Sequence, residues 1–211
     1  CRCLSILLWC VLSSATLSGA PAGETRFNEA LANFRLGFWN RAAQNFAEFV
    51  RRYPTSPRVP EAILIQAEAL INYAAESSDT NQLFSGAIEL LSTNQFRAGP
   101  WADQYQFWIG QAHLKNADYG AAAYAFERLL ANFPVSSNRF DSVIGAATAR
   151  AKLEQWPRVV ALLQDTNGVF QQAARSGTPG EGVTYGFLLL GEAQLAQTNY
   201  TEVSAALRWL E

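Results

Sequence analysis

Along this chain the apolar residues recur as a repeated phrase. Trp39, Phe84, Tyr119, Trp156 and Tyr200 each open it, and the spacing stays between 35 and 45 residues. Three positions after each opener stands a small or β-branched side chain: Ala42, Ala87, Ala122, Val159 and Val203. Four further on stands a large one: Phe46, Leu91, Phe126, Leu163 and Leu207. Upstream of each phrase a second small residue returns, at Ala30, Ala67, Gly110, Ala147 and Gly191. Helix contact explains the pattern. Where two antiparallel helices cross at close range, a side chain larger than Ala pushes the axes apart, while large residues fill the space between successive helix pairs. The pattern predicts tandem helical hairpins with units at about 24–57, 58–99, 100–137, 138–180 and 181–211.

Breaker residues punctuate the units. Pro54 ends one helix, and Thr55 or Ser56 is placed to cap the next. The second unit carries about eight extra residues, Ala75 to Gln82, whose Ser, Asp, Thr and Asn content predicts a lengthened turn. Pro157 is expected at the first position of its helix, where its missing N–H costs nothing. Ser176 to Gly182 reads as an irregular loop. The fifth unit reaches Leu210 without a closing proline, so the sequence is expected to stop inside the array.

At this point the chain resembles the tetratricopeptide repeat family. The third unit carries the resemblance best, with Gln106, Ile109, Gly110 and His113 in its first helix, Ala117, Asp118 and Tyr119 in the turn, and Ala122, Phe126 and Pro134 in the second helix and its stop. Gln106 and His113 depart from the family's aromatic choices. The first unit keeps Gly37, Trp39, Ala42, Phe46 and Pro54. The phrase Tyr53, Pro54, Thr55, Ser56, Pro57, followed by Pro60, Glu61 and Ala62, resembles a link in periplasmic Tol-associated cell-division coordinators and in the repeat-built outer-membrane-assembly lipoprotein. Asn132 to Ser137 echo it. The resemblance implies an all-α, right-handed superhelical array of antiparallel helix pairs. Its concave groove would be lined mostly by the first helix of each unit. Groove-facing positions then fall on Arg35, Glu68, Asn72, Gln104, Trp108, Gln111, Lys115, Asp141, Thr148, Lys152 and Glu192. Trp108 offers a flat apolar surface with an N–H handle, or else packs under the insertion at 75–82. Lys115 and Lys152, the only lysines, would steer acidic groups.

Composition narrows the partner. With 49% apolar and 16% charged residues the 211-residue chain can bury a core, and a formal net charge of -2 supplies no basic field for nucleic acid. Arg2, the apolar run Leu4 to Leu12 and the small residues Ser13 to Ala22 have the order of a secretory signal, with a cut expected after Ala22. Nine apolar-run residues are too few to span a bilayer. All three cysteines, Cys1, Cys3 and Cys10, lie within that segment, so a mature domain at 23–211 has no thiol for a disulfide or a thiolate metal site. Trp9 before Cys10 does not suit a lipid-attachment signal.

Catalytic constellations are missing. His113 is the sole histidine, so no His pair for zinc can form, and the glycines at 177, 180 and 182 belong to no phosphate-binding or dinucleotide fingerprint. Asp79, Glu76 and Asp118 sit in predicted turns, where capping or solvated roles are expected. The sequon at Asn199, Tyr200 and Thr201 is discounted because Tyr200 is needed in the core. The expected function is a non-catalytic adaptor of the cell envelope, exported and periplasmic or outer-membrane-associated. It would hold a protein or peptide segment in the groove, meet the membrane only indirectly, and use no cofactor, metal, nucleic acid or small-molecule substrate. The alternative is the scaffold part of a larger envelope enzyme or assembly machine whose active domain lies beyond residue 211.

Overall fold

The computed structural model describes residues 22–77, 79–176, 180–199 and 202. Signal-like residues 1–21, and Val203, Leu207 and Leu210 of the fifth unit, lie outside the described residues. Among the described residues the chain is helical: α1 (Ala22–Arg35), α2 (Trp39–Arg52), α3 (Val59–Ala74), α4 (Thr80–Thr93), α5 (Ala102–Lys115), α6 (Tyr119–Asn132), α7 (Arg139–Lys152), α8 (Trp156–Gln164), α9 (Val169–Arg175) and α10 (Glu181–Ala196). Successive helices from α1 to α8 pack antiparallel, and α10 packs on α8 and α7. α1/α2, α3/α4, α5/α6 and α7/α8 are hairpins, and α10 opens the fifth.

The five small residues occupy equivalent seats. Ala30, Ala67 and Ala147 have no exposed surface, and Gly110 and Gly191 are buried. The reason is plainest around Phe126. A Cβ on Gly110 of α5 would fall 2.7 Å from Phe126 Cε1, and one on Gly145 of α7 would fall 2.6 Å from Cε2. The ring of α6 is thus gripped between the glycines of two neighbouring first helices. The residue two before the seat varies in size against its partner on the preceding second helix. By register Ile65 goes with Phe46, Trp108 with Leu91, Gly145 with Phe126, and Leu189 with Leu163. Only at Gly145 does a large ring meet a position with no side chain; the other three pairs set two large side chains together.

The turn after the first helix recurs in the first, third and fourth hairpins and after α10. Gly37, Ala117, Glu154 and Thr198 have φ of 76°, 58°, 56° and 61°. Each follows a first helix whose end is closed by a Schellman pair. Asp118 N–H donates to the His113 carbonyl at 2.9 Å and Ala117 N–H to Leu114 at 3.2 Å, and the same pair recurs at 38→33 and 37→34, 155→150 and 154→151, and 199→194 and 198→195. Only the first of the four left-handed residues is glycine.

Between hairpins, Ser56 and Ser136 do the same work. Each hydroxyl accepts a backbone N–H two residues on, from Arg58 at 3.2 Å and from Asn138 at 3.1 Å. Ser136 also donates to Asp103 Oδ2 at 2.6 Å. Two further ties cross units, Tyr105 donating to the Pro60 carbonyl at 2.8 Å and Arg150 forking onto Glu127 at 2.8 and 2.9 Å, and within the third unit Gln106 Nε2 donates to the Ala125 carbonyl at 3.0 Å. Gln106 therefore replaces an aromatic with a hydrogen bond across its own hairpin.

Four expectations are corrected. The insertion at 75–82 is not all turn, because Thr80 to Gln82 form the first part of α4, one turn ahead of Phe84. Before the expected loop at 176–182 stands a helix not read from the sequence, α9, whose Phe170 is fully buried, stacks on Phe140 and sits edge-on to Phe187 with centroids 5.0 Å apart. Glu181 and Gly182 belong to α10, and residues 177–179 lie outside the described residues. Pro157 is the second residue of α8, after Trp156. Tyr119 likewise begins α6, with Asp118 as its cap accepting Ala121 N–H at 3.3 Å.

Two substitutions test this packing. Thr198→Gly removes a β-branched residue from a left-handed turn and should raise stability by about 1 kcal/mol in urea unfolding. Gly145→Ala should lower it by about 1–2 kcal/mol despite the better helix propensity of Ala, and adding Phe126→Leu should recover part of the loss.

Candidate peptide-binding groove

The first helices α1, α3, α5, α7 and α10 stand side by side, each touching the next. Counting from the small seat aligns their side chains in rows. Five residues after the seat come Arg35, Asn72, Lys115 and Lys152. One residue after it come Leu31, Glu68, Gln111, Thr148 and Glu192. Six before it come Glu24, Glu61, Gln104, Asp141 and Tyr185. These rows hold every position assigned from the sequence except Trp108.

Arg35, Lys115 and Lys152 are exposed, and none has an acidic partner among the described residues. They form a row of unpaired positive charges along the edge where the hairpins turn. Thr148, Lys152 and Glu192 come together in one cleft of about 340 Å³, completed by Ala151, Trp156, Tyr185, Leu188 and Leu189. The Thr148 hydroxyl donates to the Ile144 carbonyl at 2.8 Å and stands 3.5 Å from the Tyr185 hydroxyl. Tyr185 and Leu188 were missed in the sequence. They are 42% and 44% exposed, which makes them the aromatic and aliphatic contacts of this cleft. Their signal was present, since each shares a register with an assigned or packing position of the other units.

The remaining positions are dispersed. Gln104 lines a separate depression of about 450 Å³ at the links between hairpins, with Asp103, Phe133 and Ser136. Asp141 is exposed, and Gln111 and Asn72 are half-buried. Trp108 is half-buried, meets Phe107 edge-on at 5.5 Å and packs against the core shared by the first three hairpins. Glu68 is half-buried with no hydrogen bond or ion pair to another described residue, and burial pushes its carboxyl up to about 7. At the first hairpin, Glu24 and Glu61 are held by Arg58, whose guanidinium lies 3.8 Å over the Phe27 ring.

His113 is a half-buried residue of the hairpin, with Nδ1 3.2 Å from Asp118 Oδ2. Among the described residues no group of three or more His, Cys, Asp or Glu is placed to hold a metal ion. No helix of the described residues is long and apolar enough to cross a membrane.

Known proteins bear on this geometry. The family model described as tetratricopeptide repeat matches residues 24–56 and 104–136, the first and third hairpins. The first and third hairpins thus match the tetratricopeptide repeat. Two solved structures share the architecture. One is of a Podosopora anserina protein described as a kinesin light chain with nearly identical TPR-like repeats, and the other is of a single-residue variant of it. The variant has a TM-score of 0.65 at 17% identity over 88% of this chain and 91% of that chain. The unmodified protein gives 0.64 at 17% identity over 88% and 92%. At that identity the likeness shows the fold alone. No curated protein matches the chain. Tetratricopeptide repeats generally mediate contact between proteins, which fits a groove with mixed apolar and charged walls.

Glu68 supplies a test of the groove's electrostatics. A carboxyl whose folded pKa is raised binds its proton more tightly when folded, so it lowers stability as pH climbs from about 4.5 to about 7 and keeps it lowered above that. Glu68→Gln should therefore stabilise the chain on the order of 1–3 kcal/mol at pH 8 and change little at pH 4. Urea unfolding at the two pH values measures the difference.

Proposed function

We propose that the chain is a non-catalytic adaptor of the cell envelope that holds an acidic segment of a protein partner along the concave face of its repeats. The unpaired row of Arg35, Lys115 and Lys152 carries this reading. In a chain with two lysines, both stand at the same register of adjacent first helices, and neither is neutralised within the described residues. A segment bearing carboxylates at matching intervals would gain charge-assisted contacts there, and an apolar side chain would enter the cleft beside Tyr185 and Leu188.

The export-like order of Arg2, the Leu4–Leu12 run and the small residues to Ala22 supports an envelope location. So does the placing of all three cysteines in that segment. The Tyr53–Pro57 link, with its likeness to envelope repeat proteins, points the same way.

Capture of partners from envelope extract by the chain tests the reading. Lys115→Glu with Lys152→Glu should reduce the captured partner about tenfold or more, since each exposed charge contributes up to about 1 kcal/mol, while the helical circular-dichroism signal stays unchanged. The wild-type interaction should weaken as salt is raised. Capture unaffected by the double substitution would overturn the assignment of the basic row.

A further inference from the structure

Among the described residues Glu68 alone is a carboxylate neither exposed nor held by a donor. Arg58 takes Glu24 and Glu61, Arg150 takes Glu127, Ser136 donates to Asp103, and the other acids are exposed. Glu68 is half-buried on α3, and burial, not a neighbouring charge, pushes its carboxyl up to about 7. A carboxylate drawn out of water without a partner costs free energy that a cation brought to it returns.

Its surroundings define what is missing. The row one residue after the small seat places Glu68 between Leu31 of α1 and Gln111 of α5, all three half-buried. One helical turn on, the next row places neutral Asn72 between Arg35 and Lys115. A negative centre thus stands between two positive ends on one face. α2 and α4 meet α3 through apolar residues such as Phe46, Phe84 and Leu91, and their charged side chains are exposed. The short 3-10 turn Gly99–Trp101, which also touches α3, has no charged residue. Of the basic side chains only Arg2 and Arg208 fall outside the described residues. Arg2 belongs to the signal-like segment with its expected cut after Ala22. Arg208 follows α10, which packs on α7, α8 and α9, whereas α3 packs on α1, α2, α4 and α5.

We propose that Glu68 is the seat for a basic side chain, lysine or arginine, of the protein segment held in the groove. The inference rests on the groove reading above and gives the bound segment a charge order, with a base for Glu68 between acids for Arg35 and Lys115. Gln111 and Asn72 offer side-chain carbonyls to the remaining N–H groups of the incoming cation. Helices in contact lie about 8–10 Å apart, so Arg35 and Lys115, two first helices apart, are separated by about 20 Å. An extended segment covers that distance in about six residues, which sets the base midway between the acids.

Two capped heptapeptides serve as probes. Both carry aspartate at the first and last positions and serine or alanine between, one with lysine at the centre and the other with glutamine. Titrated into the full chain by NMR at pH 8, the lysine peptide should bind at least about tenfold more tightly. At pH 5.5, where Glu68 is protonated while Arg35 and Lys115 keep their charge, the two should agree within about twofold. His113 lies beside Asp118 in its own hairpin and acts on both peptides alike. Glu68→Gln should abolish the preference at pH 8 with the helical signal intact, whereas Lys115→Glu should weaken both peptides by a similar factor. Equal binding of the two peptides at pH 8, with Lys115→Glu still weakening both, would overturn the Glu68 seat and leave the basic row standing. Binding of neither peptide would overturn both readings. A Glu68 carboxyl that titrates in the ordinary carboxylate range in the free chain would also overturn the seat, by showing that the group is already satisfied.

Discussion

A phenyl ring held between two glycines sets the spacing of the central repeats. Phe126 of α6 can wedge between α5 and α7, one ring edge against each, because neither Gly110 nor Gly145 has a side chain to oppose it. Interiors pack at crystal-like density, so the backbones of the neighbouring helices come to rest against the ring itself. The other joints reach the same end with different pairs. There the positions in register are Leu91 with Trp108 and Leu163 with Leu189, both pairs of large side chains. A solenoid needs this tolerance, because each unit touches only its neighbours and one misfit would bend the whole array.

Spacing alone does not create a groove. The first helices must all be brought to the same side, and the repeated turn does that. A left-handed residue with a Schellman pair closes α1, α5, α7 and α10 alike, so α2, α6 and α8 leave their partners in the same direction. The serine-braced links after α2 and α6 return the chain with an equally fixed geometry. Turn and link together translate a residue number within one helix into a row across several. Arg35, Lys115 and Lys152 become neighbours in a row by that route, though scores of residues separate them.

The face so formed is electrically uneven. Its turn edge carries cations without acidic partners among the described residues, while Glu68 stands partly buried with its carboxyl destabilised. Near the fourth hairpin apolar contacts take over, with Tyr185 and Leu188 beside Lys152. A surface that keeps unneutralised charge and open aliphatic groups loses free energy in isolation and regains it on binding, which is why these features, and not the fold class, carry the functional reading.

The hairpin repeat was legible in the chain itself. Small and large residues three and four apart report which sides of a helix meet a neighbour, and that information is local, so Ala30, Ala67, Gly110, Ala147 and Gly191 marked equivalent seats. What lay beyond the sequence depends on contacts between units. Trp108 looked like a groove residue because it stands one step from Ile109, but whether it faces a ligand or Leu91 is decided by the preceding hairpin. α9 was hidden because seven residues have too short a period to be recognised, and Phe170 finds its place only against Phe140, Gly186 and Phe187. Thr80 to Gln82 read as turn by their polarity and became helix because α4 gains a turn of backbone hydrogen bonds. The outward leucines of α10 could not be told from buried ones by their spacing, since the same register is covered in every earlier unit. Periodicity states that a side needs a neighbour, and only the assembled array shows whether the neighbour is there.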